Sequence, residues 1–268
     1  MPERSDPASA AALARLYDLD LVDDPGDLDL YLALADRAAG PATGTAAILE
    51  LAVGTGRLAV PIAAAGHRVT GVDLDPAMLA RARTRAERDG TGRGRLELVE
   101  ADLVGLRLPA GAVFDMALLG LNSLMVLGTR PAQQAAIQAL ADHLVPGGLA
   151  IVDVWLPDAD DLARYDGRVI LEWPRLDPET GNLVTKTGSA QYDAATGTVT
   201  LTSIFETGPQ GGPVARWVRT DRLRLVSADE LAGFAEAAGL RVETLAGGYD
   251  LEPLGPGSER AVLVAIRP

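Results

Sequence analysis

The chain of 268 residues carries a formal charge of −13, contains 48% hydrophobic residues and has no cysteine. The hydrophobic content suffices for a sizeable core, and the lack of cysteine excludes a thiol nucleophile, a thiolate metal site and a disulfide framework. The acidic balance argues against binding a nucleic-acid backbone, and we find neither a secretory signal nor a membrane-spanning run, so we expect a cytoplasmic protein.

The first half of the chain has the pattern of an α/β protein. Residues 1–45 are expected to be an N-terminal helical region, and from about Ala46 short apolar runs alternate with segments of helical periodicity. This alternation predicts a parallel sheet with helices on both faces. The predicted strands are 47–52, 68–73, 96–100, 114–119 and 149–155, and the predicted helices are 57–65, 76–88 and 131–143. Pro146-Gly147-Gly148 is expected to break the third of these helices before the fifth strand.

The pattern changes after Trp155. Four runs rich in β-branched and aromatic residues (169–173, 184–192, 198–206 and 214–225) are separated by turn-rich segments, which predicts antiparallel strands joined by hairpins. A closing helix then begins at Ser227 as N-cap and ends at Gly239, and two strands follow at 241–245 and 260–266. We therefore expect a core at 46–155, an antiparallel β insert at 156–226 and a return to the core at 227–268.

A glycine-rich turn follows the first predicted strand. Gly54, Gly56 and Ala59 match the G-x-G-x-x-G/A fingerprint of dinucleotide sites, a weak signal that several nucleotide-binding folds share. The two glycines let the backbone turn sharply, and a ligand can then approach the loop at the carboxyl ends of the strands.

Acidic residues follow the next two predicted strands. Asp73 ends the second strand, where a carboxylate can accept two hydrogen bonds from a ribose diol. Asp102 follows the third strand and can accept from an adenine amino group. Each acid alone is more readily a helix cap or a turn residue, but together with the glycine turn the two acids mark three consecutive strand ends, which indicates an adenosine-bearing ligand.

The segment Glu50-Leu-Ala-Val-Gly54-Thr-Gly56 resembles the E/D-x-x-x-G-x-G motif of class I S-adenosylmethionine-dependent methyltransferases. Asp73, Asp102, the strand beginning Phe114-Asp-Met-Ala and the turn at Pro146 also match that family in order. The resemblance covers roughly residues 16–155 and resumes at 227. It implies a Rossmann-like seven-stranded sheet whose last strand is antiparallel, with S-adenosyl-L-methionine as methyl donor, S-adenosyl-L-homocysteine as product and no metal.

The resemblance also implies how the donor is held. The family uses an acid at the position of Glu50 near the methionine amino group, and a Tyr-Asp segment similar to that at Tyr17 folds over the cofactor as a lid. The implied donor-binding residues are Tyr17, Glu50, Ala52, Gly54, Gly56, Asp73, Leu74, Met78, Asp102, Leu103 and Leu119.

The acceptor side is less defined. The candidate lining residues are Asn122, Trp155, Arg216 and Trp217, with Asn122 equally well explained as a helix or turn cap and the aromatic residues of the insert more often used in packing. The insert resembles the antiparallel extension of aminosugar N-methyltransferases and glycine N-methyltransferase-like enzymes, where it covers the acceptor and sometimes forms a dimer surface. We accordingly expect a small-molecule acceptor, no nucleic acid or membrane as partner, and a monomer or homodimer.

No catalytic base can be assigned. The two histidines, His67 and His143, precede the second and fifth predicted strands and so lie across the sheet from the expected site. Nitrogen and oxygen acceptors that need no strong base both stay open. Two alternatives to a methyltransferase remain: an NAD(P)-dependent oxidoreductase, for which we find no Tyr-x-x-x-Lys motif with Lys186 as the single lysine, and a non-methylating protein that keeps the fold.

Overall fold

The computed structural model describes residues 6–22, 25–91, 95–109, 111–209 and 211–268, with the backbone alone described for 41–43. The helices are α1 (Pro7–Asp20), α2 (Leu28–Thr43), α3 (Ala59–Ala64), α4 (Pro76–Arg88), α5 (Ser123–Val126), α6 (Arg130–His143), α7 (Ala159–Arg164) and α8 (Ala228–Ala237). The strands are β1 (Ala47–Leu51), β2 (Arg68–Asp73), β3 (Leu96–Glu100), β4 (Phe114–Leu119), β5 (Leu144–Trp155), β6 (Asp166–Leu176), β7 (Leu183–Asp193), β8 (Thr198–Gly208), β9 (Ala215–Arg224), β10 (Arg241–Ala246) and β11 (Arg260–Ile266).

The chain forms two compact units. The core unit comprises Pro25–Leu156 and Val226–Pro268, and the insert unit comprises Met1–Asp24 and Pro157–Leu225. Helix α1 therefore belongs with the insert strands, whereas α2 belongs with the core.

The core unit is built on a seven-stranded sheet in the order β10-β11-β5-β4-β1-β2-β3. Strands β1 to β5 pair in parallel, and β11 is antiparallel to both of its neighbours. The predicted class, an α/β sheet of seven strands with an antiparallel last strand and an antiparallel insert, is confirmed. Its carboxyl edge brings the ends of β1, β2, β4 and β5 side by side.

The apolar runs of the sequence form the strands of the parallel sheet, because a sheet that is covered on both faces needs strands that are apolar on both sides. Four of the five residues of β1 are buried, and helices α2 to α4 share its hydrophobic cluster. Members of this cluster from the helices and the sheet include Tyr31, Ile48, Ile62, Leu79 and Met116. Helix α4 begins as predicted, with Asp75 accepting from the amide of Ala77 and Pro76 in the first turn.

Two local predictions were wrong. The predicted helix at 57–65 is shorter, because residues before Ala59 belong to the turn that follows β1. Pro146-Gly147-Gly148 does not separate α6 from β5, since β5 begins at Leu144 immediately after the helix. The register of β4 against β5 shifts at this point, and the amide of Gly147 donates to the carbonyl of Arg267, so the three residues lie within the strand as an irregularity.

The insert unit contains a four-stranded antiparallel sheet in the order β6-β7-β8-β9, which confirms the predicted hairpins. Its apolar cluster joins α1 to the sheet through Leu16, Leu19, Val184 and Phe205. The single lysine, Lys186, is buried there and forms ion pairs with Asp20 and Glu172 at 2.6 and 2.8 Å.

Candidate functional site

The turn after β1 adopts the left-handed backbone that its glycines allow. Ala52, Gly54 and Gly56 have φ angles of 54°, 55° and 76°. A Cβ on Gly54 would meet open space, whereas one on Gly56 would lie 3.0 Å from Val60 Cγ2 and 3.1 Å from Ala82 Cβ. Gly54 therefore leaves the outer side of the loop accessible, and Gly56 allows α3 and α4 to pack closely beneath it.

Asp73 at the end of β2 is tied to this loop. One carboxylate oxygen accepts from the amide of Gly54 at 2.8 Å, and the other accepts from the amide of Asp75 at 2.9 Å. Burial raises the pKa of the Asp73 carboxyl, and the two amides oppose that shift. A carboxylate offers about four lone-pair sites, so roughly two stay available for further donors.

Glu50 is a buried carboxyl with an unmatched oxygen. Its side chain lies on β1, the residue is 5% exposed, and no group of the described residues donates to Oε2. Burial raises the pKa of the Glu50 carboxyl to about 8; Arg57 opposes this shift, and Asp27 and Asp73 add to it. Such a carboxyl is suited to a cationic partner, because a positive ligand group would both fill Oε2 and favour the ionised form.

Arg57 links the glycine loop to the start of α2. Its guanidinium forms a bidentate pair with Asp27, with N–O distances of 2.6 and 2.7 Å, and Asp27 is fully buried. Arg57 lies within the G-x-G-x-x-G/A fingerprint, but no signal in the sequence connected this arginine to an acid thirty residues earlier in the chain.

The other residues predicted to bind the donor differ in their exposure to solvent. Asp102 is exposed after β3 and accepts from the amide of Val104 at 2.8 Å. Leu74 is exposed, Leu103 is half-buried, and Met78 and Leu119 are buried. Roles for these side chains in donor binding stay predictions.

A buried network that the sequence analysis missed lies near the end of β5. Asp153 is fully buried, and its Oδ1 accepts from the hydroxyl of Tyr31 at 2.6 Å and from the amide of Leu121 at 2.8 Å. Its Oδ2 accepts from Arg260 at 2.6 Å and from the hydroxyl of Tyr249 at 3.1 Å. The available signal was an acid inside an otherwise apolar strand, which implies a buried and fully paired charge.

The two tyrosines of this network do not serve as bases. Burial, and then the charge of Asp153, raises the pKa of the Tyr31 hydroxyl well above its usual value. The same two causes raise the pKa of Tyr249. Both hydroxyls therefore act as hydrogen-bond donors to Asp153 at neutral pH.

Asn122 is held at the end of β4 by its neighbours. Its Oδ1 accepts from the amide of Trp155 at 2.6 Å and from Arg260 at 3.5 Å. Asn122 stands at the N-cap position of α5, but its side chain makes no capping hydrogen bond there. A polar contact from Asn122 or Trp155 to an acceptor stays a prediction.

Three predicted residues lie in the insert unit. Tyr17 lies on α1, and its ring is 5.7 Å from the guanidinium of Arg219. On β9, Arg216 pairs with Glu206 at 2.6 Å, and Trp217 packs against the apolar cluster. Roles for Tyr17 in donor binding and for the β9 pair in acceptor binding stay predictions.

Both histidines have partners near the amino ends of strands. The ring of His67 accepts from the amide of Ala46 at 3.2 Å, and His143 Nδ1 lies 2.7 Å from the carbonyl of Ala139. Within the described part of the chain, no cluster of His, Cys, Asp and Glu has the arrangement of a metal site. None of the described helices has the length and hydropathy needed to cross a membrane.

Comparison with known proteins identifies this arrangement. Residues 48–148, which run from within β1 to the first part of β5 and include Glu50 and Asp73, match the family model described as a methyltransferase domain. The chain is an S-adenosylmethionine-dependent methyltransferase. The first of the three hypotheses from the sequence is therefore the correct one.

Two relatives from Streptomyces match this methyltransferase over most of their length. It is 28% identical over 227 residues to the cypemycin N-terminal methyltransferase of Streptomyces sp, covering 82% of each chain. It is 27% identical to the dTDP-3-amino-3,4,6-trideoxy-alpha-D-glucopyranose N,N-dimethyltransferase of Streptomyces venezuelae, covering 80% of this chain and 84% of that one.

A solved S-adenosylmethionine-dependent methyltransferase from Clostridium acetobutylicum has the same fold. It superposes with a TM-score of 0.76 at 17% identity, covering 95% of this methyltransferase and 97% of its own chain.

The site fits S-adenosylmethionine as the donor. The orphaned Glu50 Oε2 matches a cationic amino group, and the remaining lone pairs of Asp73 match hydroxyl donors. The open space beside Gly54 gives a ligand access to the loop.

Proposed function

We propose that this methyltransferase transfers the methyl group to an amine nitrogen of a small molecule in a biosynthetic step of specialised metabolism. The observation that carries the proposal is the chemistry of the carboxyl edge of the sheet. There, the acidic side chains of Glu50 and Asp73 adjoin the glycine loop, whereas both histidines of the chain adjoin the amino ends of strands. The printed names of both Streptomyces relatives support a nitrogen acceptor, since one acts at an N-terminus and the other forms an N,N-dimethyl product.

The donor would be held by the residues around the loop. When bound, S-adenosylmethionine supplies an activated methyl group, so the chain has mainly to orient the two reactants. Glu50 would pair with the amino group of the methionine portion, Asp73 would accept from the ribose hydroxyls, and Gly54 would let the ligand approach the backbone. The further candidates Tyr17, Asp102 and Leu103 complete this proposed set.

An amine acceptor explains how the reaction can proceed without an imidazole base. A neutral amine has a lone pair ready to attack, and an ammonium group can lose its proton to water before it enters the site. An unactivated hydroxyl would instead need a base near its operating pH. The tyrosines closest to Asp153 do not provide one, because burial raises the pKa of each.

A product assay tests the acceptor class. The protein is incubated with methyl-labelled S-adenosylmethionine and a panel of aminosugars, amino-terminal peptides, phenols and carboxylic acids, and the products are located by mass spectrometry. We expect the label on nitrogen of a small amine. Label on the oxygen of phenols or carboxylic acids alone would contradict the proposal.

Replacing Asp73 tests the ribose position. Asp73→Ala is expected to weaken S-adenosylhomocysteine binding by about 1–3 kcal/mol, because the ribose hydroxyls lose their acceptors. Isothermal titration measures the change. Glu100→Ala is the matched control, since this exposed carboxylate ends the neighbouring strand β3 and pairs in register with Asp73. Equal affinity for the Asp73 variant and the wild type would mean that the ribose binds elsewhere.

The oligomeric state and location belong to the proposal as well. We propose a cytoplasmic enzyme that is a monomer or a homodimer. Light scattering coupled to size-exclusion chromatography would determine the number of chains in the assembly. An assembly of more than two chains would contradict this part of the proposal.

A further inference from the structure

We propose that Asp153 is a positioning residue for methyl transfer, acting through the turn that follows β4. This inference rests on the proposed function, because it concerns how that reaction's site is held in shape. Asp153 makes its contacts with the chain itself, so we assign it no contact with the donor or the acceptor.

The carboxylate of Asp153 joins four parts of the core unit at one buried point. Its four donors come from α2, the turn after β4, the loop between β10 and β11, and β11 itself. Four donors fill the lone-pair sites of a carboxylate, and Arg260 balances its charge. The arrangement is therefore fully satisfied and specifies a single geometry for the groups that it holds.

The turn that Asp153 holds has an unfavourable backbone. Leu121 and Asn122 are consecutive non-glycine residues with φ angles of 50° and 63°. Leucine rarely adopts this left-handed backbone conformation, which asparagine tolerates better, so at Leu121 it persists only where the surroundings impose it. Here the amide of Leu121 donates to Asp153, and Asn122 accepts from the amide of Trp155.

The backbone of the turn also packs closely against the side chains of this network. A Cβ on Gly120 would lie 3.2 Å from the hydroxyl of Tyr31 and 3.5 Å from Asp153 Oδ1. The turn thus sits directly on the buried hydroxyl and carboxylate, and a change in their positions would be transmitted to the backbone.

The location of the turn connects it with the reaction. Strand β4 pairs with β1, so the turn lies at the same edge of the sheet as the glycine loop at Gly54. Strand β5, which carries Asp153, pairs with the other side of β4. Ligands of open α/β sheets bind at this edge, between neighbouring strand ends. A displaced turn would misalign the reactants while leaving the donor loop intact.

Two substitutions and one control test the proposal. Asp153→Asn keeps one acceptor oxygen and cannot serve both pairs of donors, and Tyr31→Phe removes one donor without touching the ion pair with Arg260. Asp115→Asn is the control, because Asp115 also accepts a backbone amide, that of Ala47 at 2.8 Å, but at the opposite edge of the sheet.

We expect Asp153→Asn to lower kcat by about 10- to 100-fold, the cost of a small misplacement of reactants, while KM for the donor changes little. Tyr31→Phe should show a smaller fall of the same kind, and Asp115→Asn should keep the wild-type kcat. In hydrogen exchange, the Leu121 amide should exchange faster in the two network variants. Folded network variants with wild-type kcat and unchanged exchange at Leu121 would overturn the proposal.

The two proposals fail in different ways. If the wild type transfers no methyl group to any amine, the proposed function is contradicted, and hydrogen exchange at Leu121 then decides the role of Asp153. If Asp153→Asn does not fold, Tyr31→Phe carries the test through the same two measurements.

Discussion

Replacing Arg57 by Met is expected to lower the free energy of unfolding by about 3–5 kcal/mol, because it leaves a buried carboxylate without its counter-charge. Asp27 is 0% exposed, and both of its oxygens are bound by the guanidinium of Arg57. Methionine keeps much of the side-chain volume and removes only the charge and the donors. The loss of stability would therefore come from the unpaired charge of Asp27 and not from a cavity.

Urea denaturation at neutral pH measures this change. The matched control is Arg88→Met, which removes an arginine from an exposed pair with Asp89 at the end of α4. Exposed pairs contribute little, so we expect a change within about 0.5 kcal/mol for the control. Equal destabilisation of the two variants would contradict a special role for the Arg57 pair.

The stability of the ligand-free protein is expected to fall as the pH rises from about 4.5 to 8, in part because of Glu50. The pKa of this carboxyl is about 8 in the folded chain, against an ordinary value of 4.5. Below both values the carboxyl is neutral in the folded and unfolded chains, so it has no effect there. Between them the folded chain keeps a proton that the unfolded chain has lost, so each pH unit costs about 1.4 kcal/mol of stability. Above pH 8 both forms are ionised, and the penalty stays constant.

Glu50→Gln isolates this contribution. The variant should match the wild type near pH 4.5 and exceed its unfolding free energy by about 3–5 kcal/mol at pH 8, since glutamine carries no charge to bury. Glu97→Gln, an exposed residue on β3, is the control and should follow the wild type at every pH. Parallel pH profiles for Glu50→Gln and the wild type would contradict the burial of an ionisable group at this position.

The sheet could be predicted from the sequence because local signals determine it. Runs of apolar residues bounded by glycine, proline and acids gave β2, β3 and β4 with the observed ends. The glycines of the β1 turn and the acid that ends β2 are likewise local features, since the turn needs a left-handed backbone and the strand end places Asp73 beside it.

The buried polar pairs could not be predicted because their partners are far apart in the chain. Asp27 meets Arg57 across thirty residues, and Asp153 meets Tyr31 across 122. Nothing in the spacing of either pair distinguishes it from other acids and donors; only packing brings the groups together. The left-handed backbone conformation of Leu121 could not be predicted for the same reason. Leucine does not prefer this conformation, and a contact with the distant residue Asp153 holds it.

A titration of S-adenosylhomocysteine into the protein tests most directly the central claim, that the Gly54 loop with Glu50 and Asp73 binds the methyl donor. We expect a saturable heat of binding that weakens in Asp73→Ala and does not occur when NAD is titrated instead. No saturable heat with S-adenosylhomocysteine, together with saturable binding of NAD, would contradict the claim.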